Sequence, residues 1–556
     1  MAYYTIGIDF GTLSGRAVLV DVSNGKEICS STYEYPHAVM DETLPSGIKL
    51  GHDWALQHPQ DYLEVLYHTI PALLKESGVL PTEVIGIGTD FTASTPLPVL
   101  EDGTPLCFLE AYQNEPHAYV KLWKHHAAQD KANKLNEIAT KRGEAWLQNY
   151  GGKISSEWVF PKLWQILDEA PEIYAAMDGF VEAADWIVWQ LTGLRTQNSC
   201  TAGYKKMFNK TTGFPSKEFF AALDPRLEDV IAEKIGEDVI SLGACAGTLT
   251  EKMAAKLGLP AGIAVAVGNV DAHVCVPAVG IVEPGNMLAI IGTSTCHIMI
   301  DTKEVQVPGI CGVVADGVLP SFYGCEAGQS CVGDHFAWVV ENCTPTAYAQ
   351  VAKKQGLSLH EYLTEQASLL QPGESGLLAL DWWNGNRSVL VDVDLTGLLL
   401  GMTLQTKPEE IYRALIEATA FGTRVLIENY RAHGIAVNAF YASGGISQKN
   451  PFMMQVYADV LNMPVHIAGA AQGPALGSAI FAAVAAGQEN GGYDSVFDAA
   501  QQMAKPQELV YLPNAKNHLI YHELYEEYKT LHDYFGCGEN DVMKRLKRIK
   551  AKQTKE

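Results

Sequence analysis

The sequence predicts an α/β fold made of two related halves, and three observations carry that reading. Short apolar runs alternate with helix-length segments, the pattern of strands linked by helices. Near the head of the chain, residues 4–8 read as a strand. They lead through Asp9-Phe10-Gly11-Thr12-Leu13-Ser14-Gly15-Arg16 into a second apolar run at 17–22, so the unit is a hairpin with a polar, Gly-containing tip. The same arrangement returns later. There residues 286–291 lead through Gly292-Thr293-Ser294-Thr295 into a strand at 296–300. Two phosphate-sized turns, one heading each half, suggest a duplicated fold.

Between and after these hairpins the elements follow in order. Residues 59–76 form a helix closed by Ser77-Gly78, and Pro71 is expected to kink or split it. Strands follow at 84–88 and 97–100, the second ending in Glu101-Asp102-Gly103. Residues 119–191 read as mainly helical and rich in Trp and Leu. Trp158, Trp164, Trp186 and Trp189 read mostly as core. A strand returns at 264–267, and Gly-Ile-Val-Glu-Pro-Gly at 280–285 marks the junction. The expected domains are therefore 1–280 and 281–556. In the second domain a helix spans 408–433 and a strand 439–442. A helix starts near Pro451, with Pro suited to a first helical position. Residues 474–487 form a small-residue helix suited to close packing. The tail at 543–556 carries Lys544, Arg545, Lys547, Arg548, Lys550, Lys552 and Lys555, and reads as a solvated helix end or frayed terminus.

Composition narrows the function classes. The chain has 556 residues, 47% hydrophobic and 19% charged, which excludes wholesale disorder. A net charge of −24 argues against nucleic-acid or anionic-membrane partners, because the long-range field repels phosphates. It leaves room for a local phosphate site built from backbone N–H groups and a metal ion. The 11 cysteines are an odd count without a CxxC pair, so they read as reduced thiols of a cytoplasmic protein. The opening MAYYTIGIDF lacks a basic n-region and an apolar h-region, and no window approaches a membrane span. A homodimer stands open as an assembly.

Four constellations could carry chemistry. At Gly11, Thr12, Ser14 and Arg16, glycine permits a tight turn and close approach of a ligand. Successive N–H groups and hydroxyls suit phosphate oxygens, and Arg16 adds a cation. Asp9, at a strand end, is placed to hold Mg²⁺ directly or through water. Gly292, Thr293 and Ser294 repeat this logic. Gly444-Gly445, with Ser447, Gln448 and Asn450 before a helix, suits a nucleotide's phosphates or the flat face of adenine. Each turn also reads as a plain connection when taken alone. In Gly268-Asn269-Val270-Asp271-Ala272-His273, Asp271 is placed to accept a proton from an attacking hydroxyl, or to serve as an N-cap. His273 reads more readily as a packed or capping residue.

Jointly, these runs resemble the FGGY carbohydrate kinases, within the actin-like ATPase superfamily. Ile6-Gly7-Ile8-Asp9-Phe10-Gly11-Thr12-Leu13-Ser14-Gly15-Arg16-Ala17 is similar to that family's first phosphate motif. Phe160-Pro161-Lys162-Leu163-Trp164, with Pro171-Glu172, resembles its Pro-Lys-Leu segment. Residues 397–402 with 410–417 resemble its second signature, from which Leu415 departs. Tyr441-Ala442-Ser443-Gly444-Gly445, with Asn450 and residues 455–459, resembles the adenosine motif, and 473–479 the Ala-Leu-Gly helix. The likeness spans residues 4–487.

Several runs are similar to the branch that acts on L-ribulose: Gly88-Thr89-Asp90-Phe91-Thr92-Ala93-Ser94, Glu157-Trp158-Val159-Phe160-Pro161-Lys162, residues 268–273, and Trp382-Trp383-Asn384-Gly385-Asn386-Arg387. Xylulose-type members usually carry Gln-Met-His-Gly at the place of Phe91-Thr92-Ala93-Ser94. Glycerol-type members usually carry Gly-Asp-Gln at the place of Asn269-Val270-Asp271.

The resemblance implies two actin-like (ribonuclease H-like) ATPase domains with ATP and sugar in the cleft between them. The implied reaction is ATP-dependent phosphorylation of L-ribulose to L-ribulose 5-phosphate, in L-arabinose catabolism, with Mg²⁺. Asp271 would be the general base and a sugar contact. Ala93 would leave backbone room for the sugar, and Lys205 and Glu326 would contact it. The alternatives for these two are a solvated Lys205–Lys206 pair and a surface salt bridge at Glu326. Gly11, Thr12, Ser14, Arg16, Gly292, Thr293, Gly444, Gly445 and Asn450 would bind nucleotide, and Asp9 the metal. Competing functions are a kinase for another pentulose or pentitol, an actin-like ATPase without a sugar, and a silent sugar sensor.

Overall fold

A computed structural model describes residues 2–470, 472–505 and 509–553. Two sheets organise it, each of seven strands among the described residues. The first runs Cys245–Thr248, Ala264–Ala266, Val84–Phe91, Tyr4–Phe10, Ser14–Asp21, Glu27–Glu34, with Asn269–Val270 also paired to Val84–Phe91. The second runs Gly312–Ala315, Tyr323–Gln329, Thr295–Asp301, Asn286–Ile291, Ala439–Ser443, Val465–Ile467, Leu509–Tyr511.

The two sheets repeat one plan. Tyr4–Phe10 is antiparallel to Ser14–Asp21 and parallel to Val84–Phe91. Asn286–Ile291 is antiparallel to Thr295–Asp301 and parallel to Ala439–Ser443. In both sheets the parallel series closes on an antiparallel strand. The duplication expected from two short turns therefore extends to six strands of each sheet, with Asn269–Val270 in the first and Gly312–Ala315 in the second left unmatched.

Each sheet has its own apolar core. Ile6, Ile8, Val65, Ile87 and Trp186 pack in the first lobe, and Met287, Leu415, Tyr430 and Phe440 in the second. A smaller cluster with Tyr204, Val274, Leu288, Ile298 and Val314 joins the lobes. The four tryptophans read as core are all buried. The helix Pro59–Ser77 runs unbroken through Pro71, so the expected split is absent. Its face of Val65, Leu66, Ile70 and Leu73 is fully buried, which offsets the ~3 kcal/mol that an interior proline costs. The basic tail forms the helix Val542–Gln553, pinned by Lys544 to Asp392 at 2.7 Å. Lys555 lies outside the described residues. Among the described residues, no helix is long and apolar enough to cross a membrane.

One element crosses between the halves. The helix Gly473–Ala486, late in the sequence, packs on Tyr4–Phe10 and Val84–Phe91 of the first sheet. Its composition explains the fit, because Ala and Gly let the helix axis come close. A Cβ at Gly88 would stand 2.0 Å from the carbonyl oxygen of Ser478. The Thr5 hydroxyl donates to the carbonyl of Ala479 at 3.0 Å. Gly88→Ala is accordingly expected to destabilise the protein by about 3 kcal/mol, since neither backbone can yield. Denaturant unfolding with wild-type stability in that variant would contradict this packing.

Candidate active site

Three acidic side chains stand at the carboxyl ends of three neighbouring parallel strands, where α/β sheets place their ligands. Asp9 sits in register with Asp90 on one side and Arg16 on the other. Asp90 in turn is in register with Asn269, two residues before Asp271. Asp271 is the first residue of the helix Asp271–Ala278 and Val270 its cap, so the N-cap reading of Asp271 does not hold. Its Oδ1 accepts the Ala272 N–H at 2.7 Å.

Crowding sets the proton affinities here. Burial and the neighbouring Asp9 push Asp271 up to about 7. Burial, then Asp9, drives Asp90 well above the carboxylate range, while the Ser478 hydroxyl, 2.5 Å from its Oδ2, works the other way. Asp9 is raised by burial, with Asp90 and Arg16 holding it back. Asp90 was not singled out as a site residue from sequence. Its signal was an aspartate at the end of a strand that is otherwise apolar or small.

The first turn is anchored from outside. The Gly11 N–H donates to the Ser14 carbonyl at 3.0 Å, closing the tip. The Thr12 carbonyl accepts from Gln57 Nε2 at 2.7 Å, and its hydroxyl accepts from Trp123 Nε1 at 3.2 Å. Arg16 donates to Gln472 Oε1 at 2.6 Å and to Thr32 Oγ1 at 3.0 Å. Its guanidinium therefore ties the hairpin to the start of the Gly473–Ala486 helix.

The second turn is built alike, with the Gly292 N–H donating to the Ser294 carbonyl at 2.9 Å. Thr293 is exposed, and the Val332 N–H holds its carbonyl at 2.7 Å. Gly444 has φ 95°, and a Cβ there would lie 2.5 Å from the Ile291 oxygen. Only glycine allows the Gly444-Gly445 turn to sit against the strand that ends in the Gly292 turn. Asn450 also caps the helix Pro451–Leu461, its Oδ1 accepting the Met453 N–H at 2.9 Å.

Opposite the carboxylates, the fold gathers a buried charge cluster. Lys205 and Glu326 are 4% and 3% exposed, so the solvated-pair and surface-bridge alternatives both fail. Lys205 Nζ lies 3.3 Å from Glu326 Oε2, His273 Nε2 lies 3.4 Å from that same oxygen, and Arg387 Nη2 donates to Oε1 at 2.7 Å. Burial alone would raise Glu326, but Lys205, His273 and Arg387 hold it far below the carboxylate range. Burial works against the Lys205 ammonium, and Glu326 more than offsets it. Lys206 points elsewhere, to Gln197 Oε1 at 2.8 Å and Asp185 Oδ2 at 3.3 Å. Ala93 is half-buried in the loop after Val84–Phe91. Arg387 lies in the run 382–387 that resembles the L-ribulose branch, and nothing local in that run assigns it a role. Its pairing with Glu326 joins positions 61 residues apart, beyond any local pattern.

A duplicated fold bearing a phosphate-sized turn on each half, with acid groups at the carboxyl ends of its parallel strands, is the arrangement that the resemblance to the carbohydrate kinases implies. Comparison with known proteins agrees. The chain belongs to the FGGY family of carbohydrate kinases, matching its N-terminal domain over residues 4–276 and its C-terminal domain over 287–486. It is 60% identical over 543 residues to a ribulokinase of Bacillus licheniformis, covering 98% of each chain. It is 49% identical over 550 residues to a ribulokinase of Mycolicibacterium smegmatis, covering 99% of this chain and 96% of that one. Among solved structures, a gluconate kinase from Lactobacillus acidophilus superposes with a TM-score of 0.79 at 18% identity, over 97% of this chain and 99% of that one. A xylulose kinase from Rhodospirillum rubrum gives 0.77 at 21%, over 95% and 98%. At such identities these structures speak to the fold alone. The family's phosphoryl donor is ATP.

The raised proton affinity of Asp271 has a stability consequence. Its folded-state value lies above the ordinary 3.8, so its ionisation destabilises the fold progressively from about pH 4 to about 7, fully so above that window. Asp271→Asn is expected to raise Tm by about 1–2 °C at pH 8, with the gain vanishing near pH 4. Calorimetry showing a lower Tm at pH 8 would argue against a strained carboxylate.

Proposed function

We propose that the protein transfers the γ-phosphoryl group of ATP to the terminal hydroxyl of L-ribulose, giving L-ribulose 5-phosphate and ADP, a step in L-arabinose breakdown. One observation carries this reading. Asp271 starts a helix at the seam of the lobes, with the Asp9 turn beside it and the Lys205–Glu326–Arg387 cluster facing it. The named activity of the relatives supports the choice of sugar.

In this reading the working units are residues 1–280 and 281–556, with the Gly473–Ala486 helix reaching back onto the first. Asp271 accepts the proton of the sugar hydroxyl as its oxygen attacks the γ-phosphorus. A value of about 7 suits a base near neutral pH. Glu326 accepts sugar hydroxyls, Lys205 fixes that carboxylate and donates to the sugar, and the backbone at Ala93 forms the opposite wall. Gly11, Thr12 and Ser14 face the phosphates from one lobe, and Gly292, Thr293, Gly444 and Gly445 from the other. Arg16 acts by bracing its hairpin. Phosphoryl transfer through a loose transition state asks mainly for positioning and charge neutralisation, which closure of the lobes completes by excluding water.

The donor set fits a hard divalent cation. Asp9 offers a half-buried carboxylate at a strand end, in register with the Asp90 carboxyl that shares a hydrogen bond with it. Mg²⁺ held at Asp9 would neutralise charge on the phosphate oxygens.

The test is ADP release measured with L-ribulose, other ketopentoses, pentitols and glycerol. L-Ribulose is expected to give the highest kcat/KM. Turnover independent of any sugar would overturn the assignment. Asp271→Asn is expected to lower kcat by about 10²–10⁴ while sugar affinity stays within about threefold. Because the base must be unprotonated, kcat/KM is expected to fall about tenfold per pH unit below about 7, and to level above it. Wild-type-like turnover in Asp271→Asn would remove Asp271 from that role.

A further inference from the structure

The loop that carries Ala93 holds its backbone in an uncommon state. Ser94 has φ 56°, a left-handed conformation that a non-glycine residue adopts only when its surroundings impose it. The imposing groups are two fully buried charged side chains. Lys162, in the helix Val159–Glu169, donates from Nζ to the Ser94 carbonyl at 2.7 Å. Glu182, at the end of the strand Gly179–Glu182, accepts the Thr95 N–H on Oε2 at 2.8 Å. The Ser94 carbonyl and the Thr95 N–H belong to one peptide group. That peptide lies between the ammonium and the carboxylate, its oxygen toward the cation and its hydrogen toward the anion.

We infer that Lys162 and Glu182 act together as a clamp on the Ser94–Thr95 peptide, presetting the sugar-facing backbone at residues 92–94. Both are thus positioning residues for sugar binding. Lys162 Nζ also donates to the carbonyl of Leu122 at 2.9 Å, so the clamp is fixed to a third segment. The Ser94 hydroxyl donates to the Glu157 carbonyl at 2.6 Å, and the Thr95 hydroxyl to the Thr92 carbonyl at 3.0 Å. Among the described residues, no salt bridge joins Lys162 and Glu182 to each other; their charges favour one another at longer range, and the peptide is the group to which both hydrogen-bond. Burying two ions costs several kcal/mol each, and an apolar pair of the same volume would hold the core at lower cost. What the charges supply is direction, because a cation on C=O and an anion on N–H fix the plane of the peptide. Burial draws Lys162 down to about 7 and Glu182 up, which shows how much the surroundings resist both charges.

This inference rests on the sugar lying against Ala93. Its test compares Lys162→Met with Lys162→Arg, and Glu182→Met with Glu182→Gln, which keeps an acceptor for Thr95. The Met variants are expected to raise KM for L-ribulose about tenfold or more, with KM for ATP changed less than about twofold; the Arg and Gln variants recover most of the loss. Wild-type KM for the sugar in a folded Met variant, or equal rises in both KM values, would overturn the clamp. If the variants do not fold, hydrogen exchange on the sugar-free wild type decides. The Thr95 amide is expected to be strongly protected, and fast exchange there would overturn the clamp. Wild-type enzyme giving no sugar-dependent ADP release would instead mark failure of the functional reading.

Discussion

The structure depends on one electrostatic constraint: like charges crowded where water is scarce. Asp9, Asp90 and Asp271 end adjacent parallel strands, and burial makes each harder to ionise. Three full negative charges at that spacing would repel one another strongly in a medium of low dielectric. The arrangement persists because each carboxyl is treated differently. Asp90 is bonded by Ser478, Asp9 faces Arg16, and Asp271 takes the start of a helix, where the backbone dipole favours an anion. The strain left over is of a kind that functional sites retain at the expense of stability.

Across the seam the charges are arranged the other way. Glu326 is buried but surrounded by Lys205, Arg387 and His273, so it stays ionised. The first sheet thus ends in carboxyls that resist ionisation, while Glu326 of the second sheet, held partly by Lys205 and His273 of the first half, is a carboxylate that resists protonation. A polyhydroxylated substrate suits such a place, since its hydroxyls can donate to one side and be deprotonated at the other.

Much of this was legible in the sequence. The hairpins around Gly11 and Gly292, the Gly444-Gly445 turn and the small-residue helix all advertise themselves through local composition, because a turn or a close approach restricts which residues fit. Asp271 was legible because it follows a strand and opens a helix. Asp90, Arg387, Lys162 and Glu182 were not legible as site residues, although the runs holding Asp90, Lys162 and Arg387 were noted. Their meaning comes from strand register and from contacts between distant segments, such as Ser478 with Asp90 across 388 positions. The solvated reading of Lys205 and Lys206 failed for the same reason. Two adjacent lysines look exposed until a distant Glu326 and Asp185 are brought to them.

The return of the Gly473–Ala486 helix to the first sheet bears on how the chain is made. A ribosome releases the first sheet's strands some two hundred residues before the helix that covers them. Until then Gly88 and Asp90 lack the layer they are shaped for, and the face of Val84–Phe91 is bare. The amino-terminal lobe therefore cannot be completed until most of the second lobe has been made, and the second lobe still awaits its own strand Leu509–Tyr511 and the helix Ala515–Gly536.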